Sequence, residues 1–107
     1  LIIEGAGGVM VPLNDNDLMI DLIKQLKAEV VLVAKNYLGS INHTLLTIEA
    51  LKKRKIPVAG IVFNGTTVKS SEEYILKHSG LKCLLRIKEE STVSPEMISK
   101  YSKKMKL

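Results

Sequence analysis

Short, continuous runs of apolar residues alternate along this chain with longer segments in which apolar residues recur at helical spacing. The runs lie at residues 1–4, 30–35, 58–64 and 83–87, and only the last is interrupted, by Arg86. The helical segments lie at residues 17–27, 41–53, 70–80 and from 95 onward. Continuous apolar runs are typical of strands buried on both faces. The alternation therefore predicts an α/β fold, with a doubly wound parallel sheet and helices on both faces.

Polar residues at the ends of these segments predict where the helices begin and end. Ser40 is the expected N-cap of the second helix, and Ser94, followed by a proline, is the expected N-cap of the last. Ser70 and Glu73 have the spacing of a capping box. Gly80 is expected to end the third helix, because glycine readily adopts the left-handed conformation of a helix C-terminus.

Length and composition are those of one globular domain, since the chain has 107 residues, of which 46% are hydrophobic and 25% charged. Its apolar runs are far shorter than the roughly 20 residues that cross a membrane. Neither a membrane span nor a signal peptide is predicted. The single cysteine, Cys83, has no partner for an internal disulfide, which suits a reducing compartment. A cytoplasmic protein is expected.

The net charge of +5 raises the question of nucleic acid as a partner. The lysines cluster near residues 52–55 and 100–106, at the predicted C-terminal ends of helices, where cations interact favourably with the helix dipole. The chain has only 3 tyrosines and 1 phenylalanine, too few to indicate a platform for base stacking. The pattern disfavours nucleic-acid binding.

The first predicted strand opens the chain. A strand in a parallel sheet needs neighbouring strands and covering helices, and nothing precedes residues 1–4 to provide them. We therefore expect the N-terminal portion of the domain to be missing from this sequence.

The segment EGAGG follows that strand and is the strongest candidate for chemistry. Ligands of doubly wound folds bind beyond the carboxyl ends of strands, where Glu4 would lie, and a carboxylate oxygen suits Mg²⁺. Glycines let backbone amides approach a phosphate closely. Two known fingerprints are absent: Met10 replaces the third glycine of G-x-G-x-x-G, and G-x-x-x-x-G-K-[ST] does not occur. From the residues alone, a tight structural turn remains an equal alternative.

Two longer segments decide between these alternatives. The segments IIEGAGGVMVPLNDN and VVLVAKNYLGSINHTLLTIEALKKRKIPVAGIVFNG, in this order, resemble dethiobiotin synthetases over about residues 1–65. The resemblance implies a P-loop NTPase-like fold and a Mg²⁺-dependent enzyme that uses ATP. It also implies carboxylation and ring closure of 7,8-diaminononanoate with carbon dioxide or bicarbonate, through a carbamate and a carbamic-phosphoric anhydride. Members of this family act as homodimers with the substrate site at the subunit interface.

The resemblance also implies roles for individual residues. It makes Glu4 a magnesium ligand. The segment that lines the nucleotide phosphates comprises Gly5, Ala6 and Gly7, and Gly8 lies beside the substrate. The segment that receives the substrate carboxylate, across the dimer interface, comprises Leu38, Gly39, Ser40, Ile41 and Asn42. Asn64 corresponds to the residue that reads the purine edge, with Gly65 beside it. The rest of the purine pocket corresponds to Lys88, Glu89 and Glu90, although RIKEES here lacks the family's Ile-Pro pair.

The family's phosphate-binding loop, its second acidic metal ligand and the lysine that steadies the carbamate belong to its N-terminal half. These 107 residues alone are therefore expected to be inactive. Two alternatives stay open. One is a related P-loop amidase or partitioning-type ATPase, which would not turn over diaminononanoate. The other is a non-catalytic regulatory module of the same fold, whose binding would not depend on Glu4.

Overall fold

Three strands form a single parallel sheet in the structure, a computed structural model that describes residues 1–107. The strands are β1 (Val30–Lys35), β2 (Val58–Asn64) and β3 (Cys83–Ile87), and they lie side by side in the order β1-β2-β3. Their bounds are those predicted from the apolar runs. The parallel α/β fold is confirmed.

Four helices accompany the sheet. They are α1 (Met19–Gln25), α2 (Ser40–Lys53), α3 (Lys69–Ser79) and α4 (Pro95–Ser102). Helices α2 and α3 are the connections between successive parallel strands, as in βαβ units. Helix α1 is shorter than predicted and buries Ile20 completely. None of the four helices is long and apolar enough to cross a membrane.

The core lies mainly between the sheet and the α2–α3 layer. Its buried residues come from β1, β2, α2 and α3 and comprise Ala34, Ile48, Ile61, Phe63 and Ile75. A second cluster joins α1 to the end of α2 and comprises Ile20, Leu51 and Ile56. On β1, Val31 and Val33 alternate with core residues and stay 39% and 62% exposed, so part of one sheet face is uncovered.

The strand predicted at residues 1–4 does not form. Leu1, Ile2 and Ile3 are exposed, and no strand lies alongside them. A strand gains stability only from hydrogen-bonded neighbours and a face that it buries, and these residues have neither. The prediction was therefore wrong for this structure, although the residues have the composition of a buried strand.

The predicted helix ends were partly wrong. Ser94 is the N-cap of α4, and its hydroxyl oxygen accepts a hydrogen bond of 3.2 Å from the Met97 N–H. Gly80 ends α3 in the left-handed conformation, with φ of 71°. Ser40, however, is the first helical residue of α2, and Gly39 takes the cap position without a side-chain bond. The predicted capping box in α3 is absent, because the helix begins one residue before Ser70.

Helices α2 and α3 pack side by side and are joined at their C-terminal ends. The ammonium group of Lys52 donates a hydrogen bond of 2.6 Å to the carbonyl oxygen of Ser79, the last residue of α3. A cation at this position satisfies a carbonyl that has no partner within its own helix.

Candidate functional site

The carboxyl ends of the three strands bring several of the predicted residues to one edge of the sheet. Lys35, Asn64 and Ile87 are neighbours in the strand register. The Gly65 N–H donates a hydrogen bond of 2.8 Å to the Ile87 carbonyl oxygen, which holds the start of the loop after β2. Lys88 directly follows Ile87. Asn64, Gly65 and Lys88 therefore lie together where parallel α/β folds bind their ligands.

Asn64 and Gly65 differ in what they offer at this edge. Asn64 is exposed, so its side-chain amide is open to a ligand. Gly65 has φ of +96°, a conformation that favours glycine. A Cβ atom at this position would lie 3.7 Å from Cε of Lys35, so the lysine side chain runs alongside the glycine.

The segment after β3 is held by α4. The Lys88 N–H donates a hydrogen bond of 3.2 Å to the hydroxyl oxygen of Tyr101, and that hydroxyl donates one of 2.6 Å to Oε1 of Glu90. The bond to Glu90 raises the pKa of Tyr101 above its ordinary value, because the carboxylate stabilises the protonated phenol. Glu89 lies between these anchored residues and is exposed.

The segment before and within the first turn of α2 contains the residues expected to hold the substrate carboxylate. Gly39 has φ of +91° and precedes the helix, while Leu38 is fully exposed. Ser40 is buried, and its N–H donates a 3.0 Å bond to the carbonyl oxygen of Tyr37. Ile41 is half-buried and Asn42 is exposed. The amides of a first helical turn favour an anion, so this geometry suits a carboxylate.

A tyrosine and a histidine brace the same segment. The Tyr37 hydroxyl and Nδ1 of His43 are 2.7 Å apart and hydrogen-bonded. The bond crosses over Gly39, whose hypothetical Cβ would lie 3.6 Å from Cε1 of His43. His43 is exposed and holds the loop from its solvent side.

The glycine segment lies against α1 and is not part of the sheet edge that carries Asn64. Backbone hydrogen bonds of 2.8 Å and 2.9 Å connect residues 9–11 to the start of α1. Gly7 has φ of +80°, and a Cβ there would lie 2.9 Å from a methyl group of Val11. A Cβ on Gly5 would lie 3.3 Å from the sulfur of Met19. Gly7 is thus required by the turn itself, whatever ligand the segment binds.

The same segment carries one carboxylate that could hold Mg²⁺. Glu4 is exposed, as are Gly5, Ala6, Gly7 and Gly8. No group of three or more His, Cys, Asp or Glu side chains that suits a metal ion occurs in the chain. A single carboxylate nevertheless fits Mg²⁺, which is commonly held by one or two carboxylates together with substrate phosphates and water. Glu4 has the chemistry of one such ligand.

The sequence alone did not reveal a polar cluster beside the strand ends, in which the carboxylate of Glu72 is buried and its partners are not. The carboxylate of Glu72 in α3 accepts hydrogen bonds from Nδ2 of Asn36 (2.9 Å) and from Nε of Arg86. The bond to Glu72 raises the pKa of Arg86 above its ordinary value, against the lowering effect of burial. One signal was present: Asn36 follows β1 in the same way that polar residues follow the other strands.

Comparison with known proteins identifies the family of the chain. The profile of a family described as an AAA domain matches residues 1–97. An ATP-dependent dethiobiotin synthetase, BioD, from Cytophaga hutchinsonii is 57% identical over 105 residues, covering 98% of this chain and 51% of that protein. The protein of the same name from Afipia carboxidovorans is 47% identical over 98 residues, covering 92% and 47%.

A third relative carries two functions in its name. The biotin biosynthesis bifunctional protein BioCD from Bordetella avium is 39% identical over 105 residues, covering 98% of this chain and 23% of that protein. The chain thus spans about half the length of the dethiobiotin synthetases that it matches, or less than a quarter of the bifunctional relative.

Proposed function

Because this chain belongs to the AAA domain family, and because dethiobiotin synthetases resemble it over nearly all its length, we propose that the protein containing it is an ATP-dependent dethiobiotin synthetase. It would carboxylate 7,8-diaminononanoate with carbon dioxide or bicarbonate and close the ureido ring at the expense of ATP. The observation that carries the proposal is the 57% identity over 98% of the chain. The reaction belongs to biotin biosynthesis, and its proposed compartment is the cytoplasm.

Residues of this chain would supply nucleotide binding and substrate positioning. Asn64 would present its exposed amide to the purine edge, with Gly65 admitting the ring closely. Lys88, Glu89 and Glu90 would line the other side of the base. Fixing the base fixes the position of the transferred phosphoryl group, and positioning of this kind is a large part of catalysis in phosphoryl transfer.

The segment EGAGG would act at the phosphate end of the nucleotide. Glu4 would hold Mg²⁺, which neutralises charge on the phosphate oxygens. Gly5, Ala6 and Gly7 would line the phosphates, and Gly8 would lie beside the reacting amine of the substrate. The solvent exposure of all five residues supports this role, because it leaves them accessible to a ligand.

The first turn of α2 would hold the far end of the substrate. Its residues, Leu38 to Asn42, would receive the carboxylate of 7,8-diaminononanoate from the neighbouring subunit of a homodimer. The full exposure of Leu38 supports a place at an interface, since a protruding leucine gains free energy when a partner covers it.

An activity assay on the protein that contains this chain tests the proposal. Dethiobiotin formation is measured by mass spectrometry with ATP, bicarbonate and 7,8-diaminononanoate, and each substrate is omitted in turn. Glu4→Gln should lower kcat by about a hundredfold, the usual scale for loss of one charge-stabilising group. Because Glu4 is exposed, the melting temperature should not change. Glu29→Gln, another exposed carboxylate, is the matched control. Absence of turnover with diaminononanoate would refute the function.

Subunit mixing tests the dimer. Glu4→Gln and Asn42→Ala each damage a different part of the composite site. If the substrate segment comes from the partner, mixing the two inactive variants restores activity, because each mixed dimer contains one intact site. Mass spectrometry verifies that mixed dimers have formed. If these dimers remain inactive, both segments belong to a site within one subunit.

A further inference from the structure

Glu72 is the one charged residue that the structure buries, with 1% of its surface exposed. It lies in the first turn of α3, next to Glu73, which is exposed and pairs with Lys69 on the surface. Burying a carboxylate costs free energy unless hydrogen bonds and an opposite charge compensate. A leucine or methionine would fill the same space without that cost, so the need for a carboxylate here requires an explanation.

Both oxygens of this carboxylate are used. Oε1 accepts from Nδ2 of Asn36 at 2.9 Å, and Oε2 accepts from Nε of Arg86. The Arg86 guanidinium also lies over the ring of Phe63, 5.6 Å from its centroid, and Phe63 directly precedes Asn64. The cluster thus connects α3 to β3, to the end of β2 and to the residue that follows β1.

Asn36 extends the cluster into the loop after β2. Its Nδ2 donates a second hydrogen bond, of 2.9 Å, to the carbonyl oxygen of Thr66. The other side of that loop is held by the bond from the Gly65 N–H to Ile87. The short segment that begins with Asn64 is therefore fixed from two sides, and on one side it depends on the orientation that Glu72 gives to the Asn36 amide.

We propose that Glu72 is a positioning residue for nucleotide recognition: by orienting Asn36, it fixes the loop that presents Asn64 to the base. An amide can rotate to exchange its oxygen and nitrogen, and the buried carboxylate selects the orientation in which Nδ2 points at Thr66. An apolar side chain at position 72 would leave only the Thr66 carbonyl oxygen to select that orientation. The inference rests on the proposed function, since it assumes that Asn64 faces a purine.

Two neighbouring glutamates allow a matched test on the protein that contains this chain. Glu72→Gln keeps the volume but replaces one oxygen by an NH₂ group, so either Asn36 or Arg86 faces a donor. The KM for ATP should rise by about tenfold, the scale of a hydrogen bond to a charged group, while kcat changes little. The preference for ATP over CTP should fall. Glu73→Gln removes only a surface ion pair and should leave all three quantities unchanged.

Asn36→Ala gives an independent test that keeps the Glu72–Arg86 pair intact. It should raise the KM for ATP as Glu72→Gln does, with a smaller decrease in melting temperature. Because Glu72 acts through Asn36, adding Glu72→Gln to Asn36→Ala should raise the KM no further. If Glu72→Gln does not fold, the KM and nucleotide preference of Asn36→Ala decide the question alone.

The outcomes separate this inference from the proposed function. A Glu72→Gln protein with a lower melting temperature but the wild-type KM and preference for ATP would make Glu72 merely structural and overturn the inference. Calorimetric titration with ATP measures affinity without turnover. Suppose that the protein does not turn over diaminononanoate but that Glu72→Gln weakens its affinity for ATP. This result would support the role of Glu72 and refute the proposed synthetase activity. A protein that does not bind ATP would overturn both.

Discussion

Tyr101 and Glu90 are joined by a hydrogen bond of 2.6 Å, in which the phenol donates to the carboxylate. The same phenol oxygen accepts from the Lys88 N–H, so one side chain of α4 fixes both ends of a three-residue segment. Those three residues are the ones expected to complete the purine pocket. The proline that stiffens this segment in the resembled family is absent here, and the Tyr101 anchor provides an alternative restraint.

Tyr101→Phe should lower the melting temperature by several degrees, because it removes both hydrogen bonds and leaves the aromatic packing. The effect should depend on pH in a defined direction. The raised pKa of Tyr101 means that the folded state favours the protonated phenol, so the stabilisation is complete below about pH 10, the ordinary pKa of tyrosine, and disappears as pH rises through the folded-state pKa.

Thermal unfolding between pH 7 and pH 11 measures this dependence. The difference between wild type and Tyr101→Phe should stay constant up to about pH 9 and shrink above about pH 10. Tyr74→Phe is the control, since Tyr74 is 53% exposed and stacks on His78 at the surface. A difference that grows with pH would contradict the assigned bond.

Gly60 in β2 is required both by close packing and by its φ of +156°, which opposes a side chain. A Cβ there would lie 2.7 Å from Cγ of Leu84 and 2.7 Å from the backbone oxygen of Lys82, so β3 would have to move. Gly60→Ala should reduce the free energy of unfolding by about 2 kcal/mol. Gly80→Ala is the comparison, because nothing lies within 4 Å of its Cβ position and only its φ of +71° opposes alanine, at about 1 kcal/mol. Equal losses measured by urea denaturation would disprove the packing argument.

Ser94 is an N-cap in the structure, whereas Ser70 was predicted to be one and is not. Ser94→Ala removes the bond to the Met97 N–H and should cost about 1 kcal/mol of unfolding free energy. Ser70→Ala should have no cost, or a gain of about 0.5 kcal/mol, because Ser70 lies within α3 and alanine is the better helix former. Urea denaturation of both variants checks the contrast. A larger loss of unfolding free energy for Ser70→Ala than for Ser94→Ala would instead support the predicted capping box in α3.

The Tyr37–His43 bond gives a prediction for substrate binding. Tyr37→Phe loosens the segment that precedes α2 and should raise the KM for 7,8-diaminononanoate by about fivefold, the scale of one neutral hydrogen bond. The KM for ATP is the internal control and should not change. A rise in the KM for ATP alone would place this segment at the nucleotide.

Much of the sheet could be predicted from the sequence. Mainly apolar runs that begin directly after a polar residue or proline identified all three strands to the residue, although Arg86 lies within β3 and Val31 and Val33 of β1 are exposed. The strand expected at residues 1–4 has the same pattern but no neighbour. The pattern of apolar residues shows which segments can be buried as strands. Hydrogen bonding to a neighbouring strand decides which of those segments form one.

The polar cluster around Glu72 could not be predicted in the same way. Glu72 and Glu73 are adjacent and chemically identical, and the capping-box spacing drew attention to the exposed one. Which of them points inward depends on the rotation of α3 against the sheet. That rotation is set by the packing of residues such as Ile75 against the core. The apolar residues of α3 are spaced irregularly, so the sequence does not show which face of the helix is buried.

The hydrogen bond from Lys52 to Ser79 has a consequence for motion. It joins the C-terminal ends of α2 and α3, while the bond between Asn36 and Glu72 holds the chain before α2 to the opposite end of α3. Sliding of one helix past the other would break both bonds at once. The two-helix layer therefore resists shear, so the strand ends that carry the candidate site rest on a layer that does not slide.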